Sequence, residues 1–108
     1  MRIIRPPAPL IISPEEKVVY LSGKGQGWRV ALAASLDVLE VVLIDPGADA
    51  SETCRQAAMN LADVIVVFAC AGDEIFDDAR CIAWNSATGA DWEPSLQSFV
   101  SKLWPMLL

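Results

Sequence analysis

The chain has 108 residues, a net charge of −6, no histidine and 54% hydrophobic residues. This length fits one domain, and the apolar content excludes disorder and predicts an extensively buried sheet. The eight basic residues are scattered singly, which argues against polymeric nucleic acid as a partner. No apolar run reaches the roughly 18 residues of a membrane span, and no signal-peptide pattern opens the chain. We therefore expect a cytoplasmic protein that has no membrane partner.

The lack of histidine restricts the available chemistry. It excludes Ser-His-Asp and Cys-His mechanisms and removes the usual nitrogen ligand of zinc. The cysteines, Cys54, Cys70 and Cys81, form no CxxC pair and are expected to be reduced, buried thiols. We expect no metal site and no cofactor, so any acid–base or nucleophilic chemistry would rest on carboxylates, Tyr20, lysines or thiols.

The chain divides into a proline-rich arm over residues 1–16 and a single α/β domain over residues 17–108. In the arm, Ile3-Ile4 and Leu10-Ile11-Ile12 are candidates for short edge strands or for an apolar segment lying on the domain. The domain begins with a predicted strand over 17–22, a helix over 27–36, a strand over 40–44, a helix over 52–61 capped by Ser51, and a strand over 64–68. The first helix is expected to turn Val30, Ala31, Ala34 and Leu36 inward.

The carboxyl-terminal part is predicted to be helical. Asp73 caps a candidate third helix, in which Ile75, Phe76, Ala79, Ile82 and Ala83 follow helical spacing and which Gly89 would end. A strand over 81–85 is the alternative. The last helix is expected over 92–104, with Asp91 as its cap and an apolar stripe that packs in the core rather than forming a binding groove.

This order, β-α-β-α-β-α-α, is typical of a three-layer α/β sandwich with a small, mainly parallel sheet of the Rossmann/flavodoxin type. Three strands are few for such a sheet. Either the arm adds an edge strand or a second chain covers the exposed edge, and we favour a homodimer.

The loop between the first strand of the domain and its helix is the most informative feature for function. Gly23, Gly25 and Gly27 alternate along it, at the position where open α/β sheets bind ligands and where helix amides favour anions. The spacing matches neither a Walker A loop nor the dinucleotide fingerprint. A tight turn without a ligand is the alternative interpretation of these glycines.

Four further residues, on or after this loop, are candidates for ligand contacts. Lys24 and Arg29 could hold a phosphate or carboxylate, unless they are merely solvated cations. Trp28 could stack on a base, although packing of the helix on the sheet is a commoner role for such a residue. Asp45 could accept ribose hydroxyls or form the turn that ends its strand.

Several short motifs resemble the nucleoside 2-deoxyribosyltransferase-like proteins. Tyr20-Leu21-Ser22-Gly23 followed by Gly27-Trp28-Arg29 resembles the "(Y/F)LAG…WR" opening of that family, and Pro7-Ala8-Pro9-Leu10 resembles its "P-x-P-L" lead-in. Val42-Leu43-Ile44-Asp45-Pro46 is similar to its second strand, and residues 62–68 are similar to its "ADVI" strand.

The resemblance implies cleavage or exchange of the N-glycosidic bond of a nucleoside or nucleotide. Such enzymes use the Glu of an "E-(F/L)-G" motif after the "ADVI" strand as nucleophile, through a covalent glycosyl-enzyme intermediate, and a tyrosine that Tyr20 matches orients it. No Glu-x-Gly stands here in this chain. Asp78 falls nearest if the loop is shortened, with Asp73 and Asp77 as further candidates. Carboxylates that complement a helix dipole are the alternative role for all three.

A second resemblance concerns the same loop. Ser22-Gly23-Lys24-Gly25 and Val41–Asp45 are faintly similar to deviant P-loop ATPases of the ParA/MinD type, without their Gly-Lys-Thr. The expected partner is therefore a small nucleoside or nucleotide. The alternatives to a transferase or hydrolase are an inactive ligand-sensing or protein-interaction module and a degenerate ATPase-like domain.

Overall fold

The computed structural model describes residues 1–6, 8–46, 50–70, 78–86 and 91–108. In chain order the elements are β1 (Arg2–Ile4), β2 (Lys17–Ser22), α1 (Gly27–Leu36), β3 (Val41–Ile44), α2 (Glu52–Leu61), β4 (Val64–Cys70), β5 (Cys81–Ser86) and α3 (Glu93–Leu107). The expected α/β class with a small parallel sheet is confirmed.

The strands pair in parallel in the order β1-β3-β2-β4-β5. The connection from β2 to β3 runs one way across the sheet, and the connection from β3 to β4 runs back past β2. Because parallel crossovers are right-handed, these connections place α1 and α2 on opposite faces. The packing agrees, since α1 and α3 cover one face and α2 covers the other.

Side chains alternate along each strand between two cores. The core under α1 and α3 takes Val19, Leu21, Val41, Leu43, Val64, Val66 and Phe68 from the sheet. The core under α2 takes Val18, Tyr20, Val42, Ile44, Ile65, Val67 and Ala69. Burial on both faces explains why these strands are continuous apolar runs in the sequence.

The amino-terminal arm supplies an edge strand, one of the two outcomes expected from the sequence. Ile4 of β1 lies level with Ile44 of β3, and the amide of Asp45 donates to the Ile4 carbonyl at 2.9 Å. In the second apolar segment of the arm, Leu10 and Ile12 pack against the core under α2, whereas Ile11 is 72% exposed. That segment is therefore an apolar cover and not a strand.

The third helix is predicted over a segment that includes residues 81–86, and these residues form a strand instead. The helix prediction is therefore wrong over this stretch. Trp84 of β5 pairs with Phe68 of β4 and is 2% exposed. Ile82 packs in the same core as Trp84, two residues apart, as a strand requires. A short apolar segment fits both periods, and pairing with β4 decides between them. The predicted helix start and end, at Asp73 and Gly89, lie outside the described residues.

The inward face of α1 also differs from the prediction. Trp28, Leu32 and Leu36 are buried at a spacing of four residues, whereas Val30 is 67% exposed. The sequence offered apolar residues on two sides of this helix, and the side with the larger side chains is the one that packs on the sheet. Ala34 is likewise exposed, so only Leu36 of the predicted inward set is fully buried.

The last helix is confirmed in kind and shifted in its bounds. It runs over Glu93–Leu107 with Trp92 in the N-cap position, so Asp91 is not the cap. Phe99, Leu103 and Leu107 are its buried residues. The apolar stripe thus packs in the core, as predicted.

Four aromatic rings join the helices α1 and α3 to β4 and β5. Trp28 stacks on Phe68 at 4.8 Å, Phe68 meets the edge of Trp84 at 5.3 Å, and Trp84 stacks on Phe99 at 4.7 Å between ring centres. Such pairs add stabilisation beyond the area they bury. Trp28 and Phe68, at one end of this chain of rings, lie against the glycine loop.

No helix within the described parts of the chain is long and apolar enough to cross a bilayer.

Candidate functional site

A cleft of about 420 Å³ opens at the carboxyl end of β2. The chain leaves β2 towards β3 and leaves β4 towards β5, so the connections of these two neighbouring strands diverge here. Such a divergence opens a crevice at the carboxyl edge of a parallel sheet. The glycine loop therefore borders a cavity whose size is typical of small-molecule sites.

The cleft is lined by residues from three parts of the chain. β2 and the glycine loop give most of the wall, α1 gives Arg29, and the segment after β3 together with α2 gives Pro46 and Arg55. The full lining is Tyr20, Leu21, Ser22, Gly23, Lys24, Gly25, Gln26, Arg29, Pro46 and Arg55. Of the predicted binding residues, Gly23, Lys24, Gly25 and Arg29 are thus brought together.

Arg29 ties the glycine loop to the end of β3. Its Nε donates to the carbonyl of Gly25 at 2.9 Å, and its terminal nitrogens donate to the Gly23 carbonyl and to Asp45 Oδ1. The side chains of Arg29 and Asp45 are only 10% and 14% exposed. Asp45 is therefore engaged by Arg29, an alternative to both roles predicted for it.

Trp28 is a core residue and has no face open to a ligand. It is 1% exposed, one face of its ring stacks on Phe68, and the guanidinium carbon of Arg29 lies 4.7 Å from its ring centre. Its Nε1 donates to the Lys24 carbonyl at 2.7 Å. Helix packing already uses the ring, and the described lining of the cleft does not include Trp28.

Tyr20 forms the base of the cleft and is 3% exposed. Burial raises the pKa of its hydroxyl, opposed by the nearby positive charge of Arg55 and reinforced by the carboxylate of Glu52. The phenol is therefore neutral at physiological pH and can donate a hydrogen bond. Its position at the cleft agrees with the expected location of this tyrosine.

Asp78 lies at the opposite edge of the sheet from the cleft. Ile65 is level with Tyr20 on one side and with Cys81 on the other, so the residues before Cys81 run towards the amino edge. With about 3.3 Å per strand residue, Gly23 lies roughly 10 Å beyond the level of Tyr20 and Cys81, and Asp78 lies on the other side of that level. The structure therefore does not bring Asp78 together with the glycine loop.

Arg80 accounts for the position of Asp78. The carboxylate accepts from the Arg80 guanidinium at 2.8 and 3.0 Å and from the Arg80 amide at 2.8 Å. The same guanidinium donates to the carbonyls of Met59 and Ala62, which end α2. The Arg80 contacts lower the pKa of Asp78 to about 2. The pair anchors a helix end, where a cation is favourable.

The other two carboxylates proposed as nucleophiles, Asp73 and Asp77, lie outside the described residues. Of the predicted binding residues, Gly27, Trp28 and Asp45 are not in the described lining. Gly27 lies at the start of α1. An added Cβ there would come within 2.9 Å of the Trp92 ring, so this glycine permits close packing of the loop against the start of α3.

Sequence reasoning missed Arg55 as a lining residue. It follows the N-cap Ser51 by four positions, in the first turns of a helix that begins near the carboxyl edge of the sheet. The position of Arg55 early in the helix after β3 could have indicated this, because all strand-to-helix connections of a parallel sheet leave from the same edge.

The glycine at the start of the loop has a strict structural requirement. Gly23 has a φ of +129°, and an added Cβ would lie 2.4 Å from the carbonyl oxygen of Phe68. Gly25 has a φ of +99° but would meet only the edge of Trp28 at 3.4 Å. The tight-turn interpretation thus holds for Gly23 independently of any ligand.

The properties of the cleft are the basis for assigning a function. Comparison with protein-family models, with curated proteins and with solved structures finds no match for this chain. In the described ranges, no group of three or more Cys, Asp or Glu side chains could hold a metal ion. Shape, charge and hydrogen bonding at the carboxyl edge therefore carry the assignment.

The two glycines predict different losses of stability. We expect Gly25→Ala to lower the free energy of unfolding by about 1–2 kcal/mol, because only its backbone conformation is strained. Gly23→Ala should cost roughly 1–3 kcal/mol more, because it adds a backbone clash with Phe68. Urea unfolding monitored by tryptophan fluorescence measures both values. Equal losses would contradict the close approach of the loop to β4.

The Asp78–Arg80 pair predicts a pH-dependent contribution to stability. Its lowered pKa means that the pair stabilises the fold above the ordinary carboxyl pKa of 3.8 and that this contribution disappears as pH falls towards about 2. Asp78→Asn should therefore be less stable than the wild type at pH 7, with a gap that narrows below pH 4. Urea unfolding between pH 7 and pH 2.5 tests this, with Asp37→Asn as an exposed control. A gap independent of pH would rule out the ion pair as its cause.

Proposed function

We propose that the domain binds a nucleoside or nucleotide carrying an anionic group, in the cleft at the carboxyl end of β2. The observation that carries this proposal is the composition of the lining. Lys24, Arg29 and Arg55 contribute to it, and no Asp or Glu is among the described residues that form it. Such a lining on a chain of net charge −6 favours an anionic ligand over a neutral one.

The elements from which these three cations extend support the proposal. Arg29 is paired with Asp45 and holds the loop, so it contributes little net charge. Lys24 and Arg55 come from opposite walls, the loop and α2. An anion between them could accept charge-assisted hydrogen bonds from both sides. α1 also begins at Gly27 without a side-chain cap, and uncapped helix amides favour anions.

The proposal includes the doubly wound, Rossmann/flavodoxin-like character of the domain. In such folds the crevice between diverging connections is the usual place for a nucleotide. The neutral, buried Tyr20 suits the sugar or base portion of the ligand, because a phenol donates to neutral acceptors without demanding a charge.

Cleavage or transfer at the N-glycosidic bond is the reaction that we propose for this site. It requires a carboxylate at the cleft, and the position of Asp78 at the amino edge leaves Asp73 and Asp77 as the candidates from the sequence. A catalytically inactive ligand-sensing module is the alternative, favoured by the lack of a Glu-x-Gly motif after β4.

The charge of the cleft predicts a preference for phosphorylated ligands. 2′-Deoxyadenosine 5′-monophosphate (dAMP) should bind at least tenfold more tightly than deoxyadenosine in isothermal titration calorimetry at low ionic strength. Lys24→Ala and Arg55→Gln should each weaken dAMP binding about tenfold, or ~1.4 kcal/mol, through loss of one charge-assisted hydrogen bond.

Lys102→Ala is the matched control, because it removes the same charge from the exposed surface of α3. This variant should bind dAMP as the wild type does. Equal affinity for dAMP and deoxyadenosine would show that the cleft does not select the anionic group. An equal effect of Lys102→Ala would show that net charge and not the cleft governs binding.

The proposed reaction predicts release of free base. Incubation with deoxynucleosides and their 5′-monophosphates, followed by chromatography, should yield free base. Asp73→Asn or Asp77→Asn should abolish it, whereas Asp78→Asn should keep it, because Asp78 anchors Arg80 away from the cleft. Binding without any base release would support the inactive module. Loss of activity in Asp78→Asn alone would contradict the assignment of roles.

A further inference from the structure

Three consecutive carbonyls of the glycine loop accept hydrogen bonds from two adjacent side chains. Arg29 donates to the carbonyls of Gly23 and Gly25, and Trp28 Nε1 donates to the Lys24 carbonyl between them. Both donors come from the first turn of α1, and both are buried. The Trp28–Arg29 pair thus holds one whole side of the loop.

Because the peptide bond is planar, the direction of each carbonyl also fixes the direction of the N–H group of the next residue. In a trans peptide the N–H of one residue points opposite to the carbonyl of the residue before it. The amides of Lys24, Gly25 and Gln26 must therefore point away from the donors that hold these carbonyls. In the described parts of the chain, none of these three amides donates to a backbone carbonyl.

From these contacts and the place of the loop in the cleft wall, we infer that Trp28 and Arg29 are positioning residues that turn the amides of Lys24, Gly25 and Gln26 towards the ligand. Successive backbone N–H groups aimed into one concavity form an anion-binding nest. The same three residues line the cleft. This inference rests on the proposed function and deepens it, because it assigns the anionic group of the ligand to backbone donors in addition to side-chain cations.

The pairing of Arg29 makes the arrangement rigid before any ligand arrives. Asp45 neutralises the guanidinium, and the indole of Trp28 lies beneath it. A buried arginine that donates to three acceptors in fixed directions cannot be replaced by lysine, which is a point charge. Preorganised donors bind more tightly than donors that must be ordered by the ligand.

The test uses two conservative variants of the whole chain. Trp28→Phe keeps an aromatic ring in the core and removes the donor to Lys24 together with the second ring of the indole, and Arg29→Lys keeps the charge and removes the planar fork. Each should weaken dAMP binding at least fivefold in calorimetry. In ¹⁵N–¹H spectra of the wild type, dAMP should shift the amide signals of Lys24, Gly25 and Gln26, and these shifts should be lost or reduced in both variants.

Arg80→Lys is the matched control for a loss of stability. Arg80 also donates to two backbone carbonyls and pairs with an aspartate, but it does so at the amino edge of the sheet. The Arg80→Lys variant should have a lower melting temperature than the wild type and a dAMP affinity within twofold of it. An equal loss of affinity in Arg80→Lys would overturn the positioning role.

A readout without ligand separates this inference from the proposed function. Heteronuclear ¹⁵N relaxation should show ordered amides at residues 24–26 in the wild type and more mobile ones in Trp28→Phe and Arg29→Lys. If the wild type binds no nucleotide but the relaxation changes occur, the proposed function fails and the loop constraint stands. If dAMP binds equally well to both variants, the inference fails and the proposed function stands.

Discussion

The buried guanidinium of Arg29 is the contact on which the carboxyl edge of this fold depends. It joins the loop after β2, the first turn of α1 and the end of β3. A mostly buried guanidinium needs partners for its charge and its donors, and here Asp45 and two carbonyls accept hydrogen bonds from it. Because Arg29 and the two glycines whose carbonyls it binds all line the cleft, the packing of α1 and the shape of the site have a common cause.

At the amino edge of the sheet, Arg80 links segments of the chain as Arg29 does at the carboxyl edge. That side chain ties the end of α2 to the segment entering β5, with Asp78 as its counter-ion. The two arginines have the same hydrogen-bonding pattern and lie at opposite ends of the strands. The carboxylate of Asp78 is held at the amino edge, so it cannot reach a ligand in the cleft at the carboxyl edge. The acidic residue that looked most reactive in the sequence is thus a structural partner.

Much of the architecture follows from local sequence patterns, and the misses have physical reasons. Continuous apolar runs marked β2, β3 and β4, because strands buried on both faces need no polar alternation. The segment around Trp84 was ambiguous, because six residues are too few to separate a period of two from one of 3.6, and pairing with β4 decided it. The burial of Trp28 depended on Phe68 and Trp84, which are distant in sequence. Arg55 joined the cleft only through the path of α2 across the sheet.

The register of the sheet has a further consequence for ligand selection. Tyr20 lies in the middle of three paired strands, level with Ile44 and Ile65, so its backbone is fixed by pairing on both sides. The loop that follows is held from below by Trp28 and Arg29. In the proposed function, the neutral part of a ligand meets Tyr20 and its anionic part meets the loop, a few residues further along the same strand direction. The spacing between these two groups is set by covalent geometry and strand pairing, so a ligand is selected by the distance between its polar groups as well as by its charge.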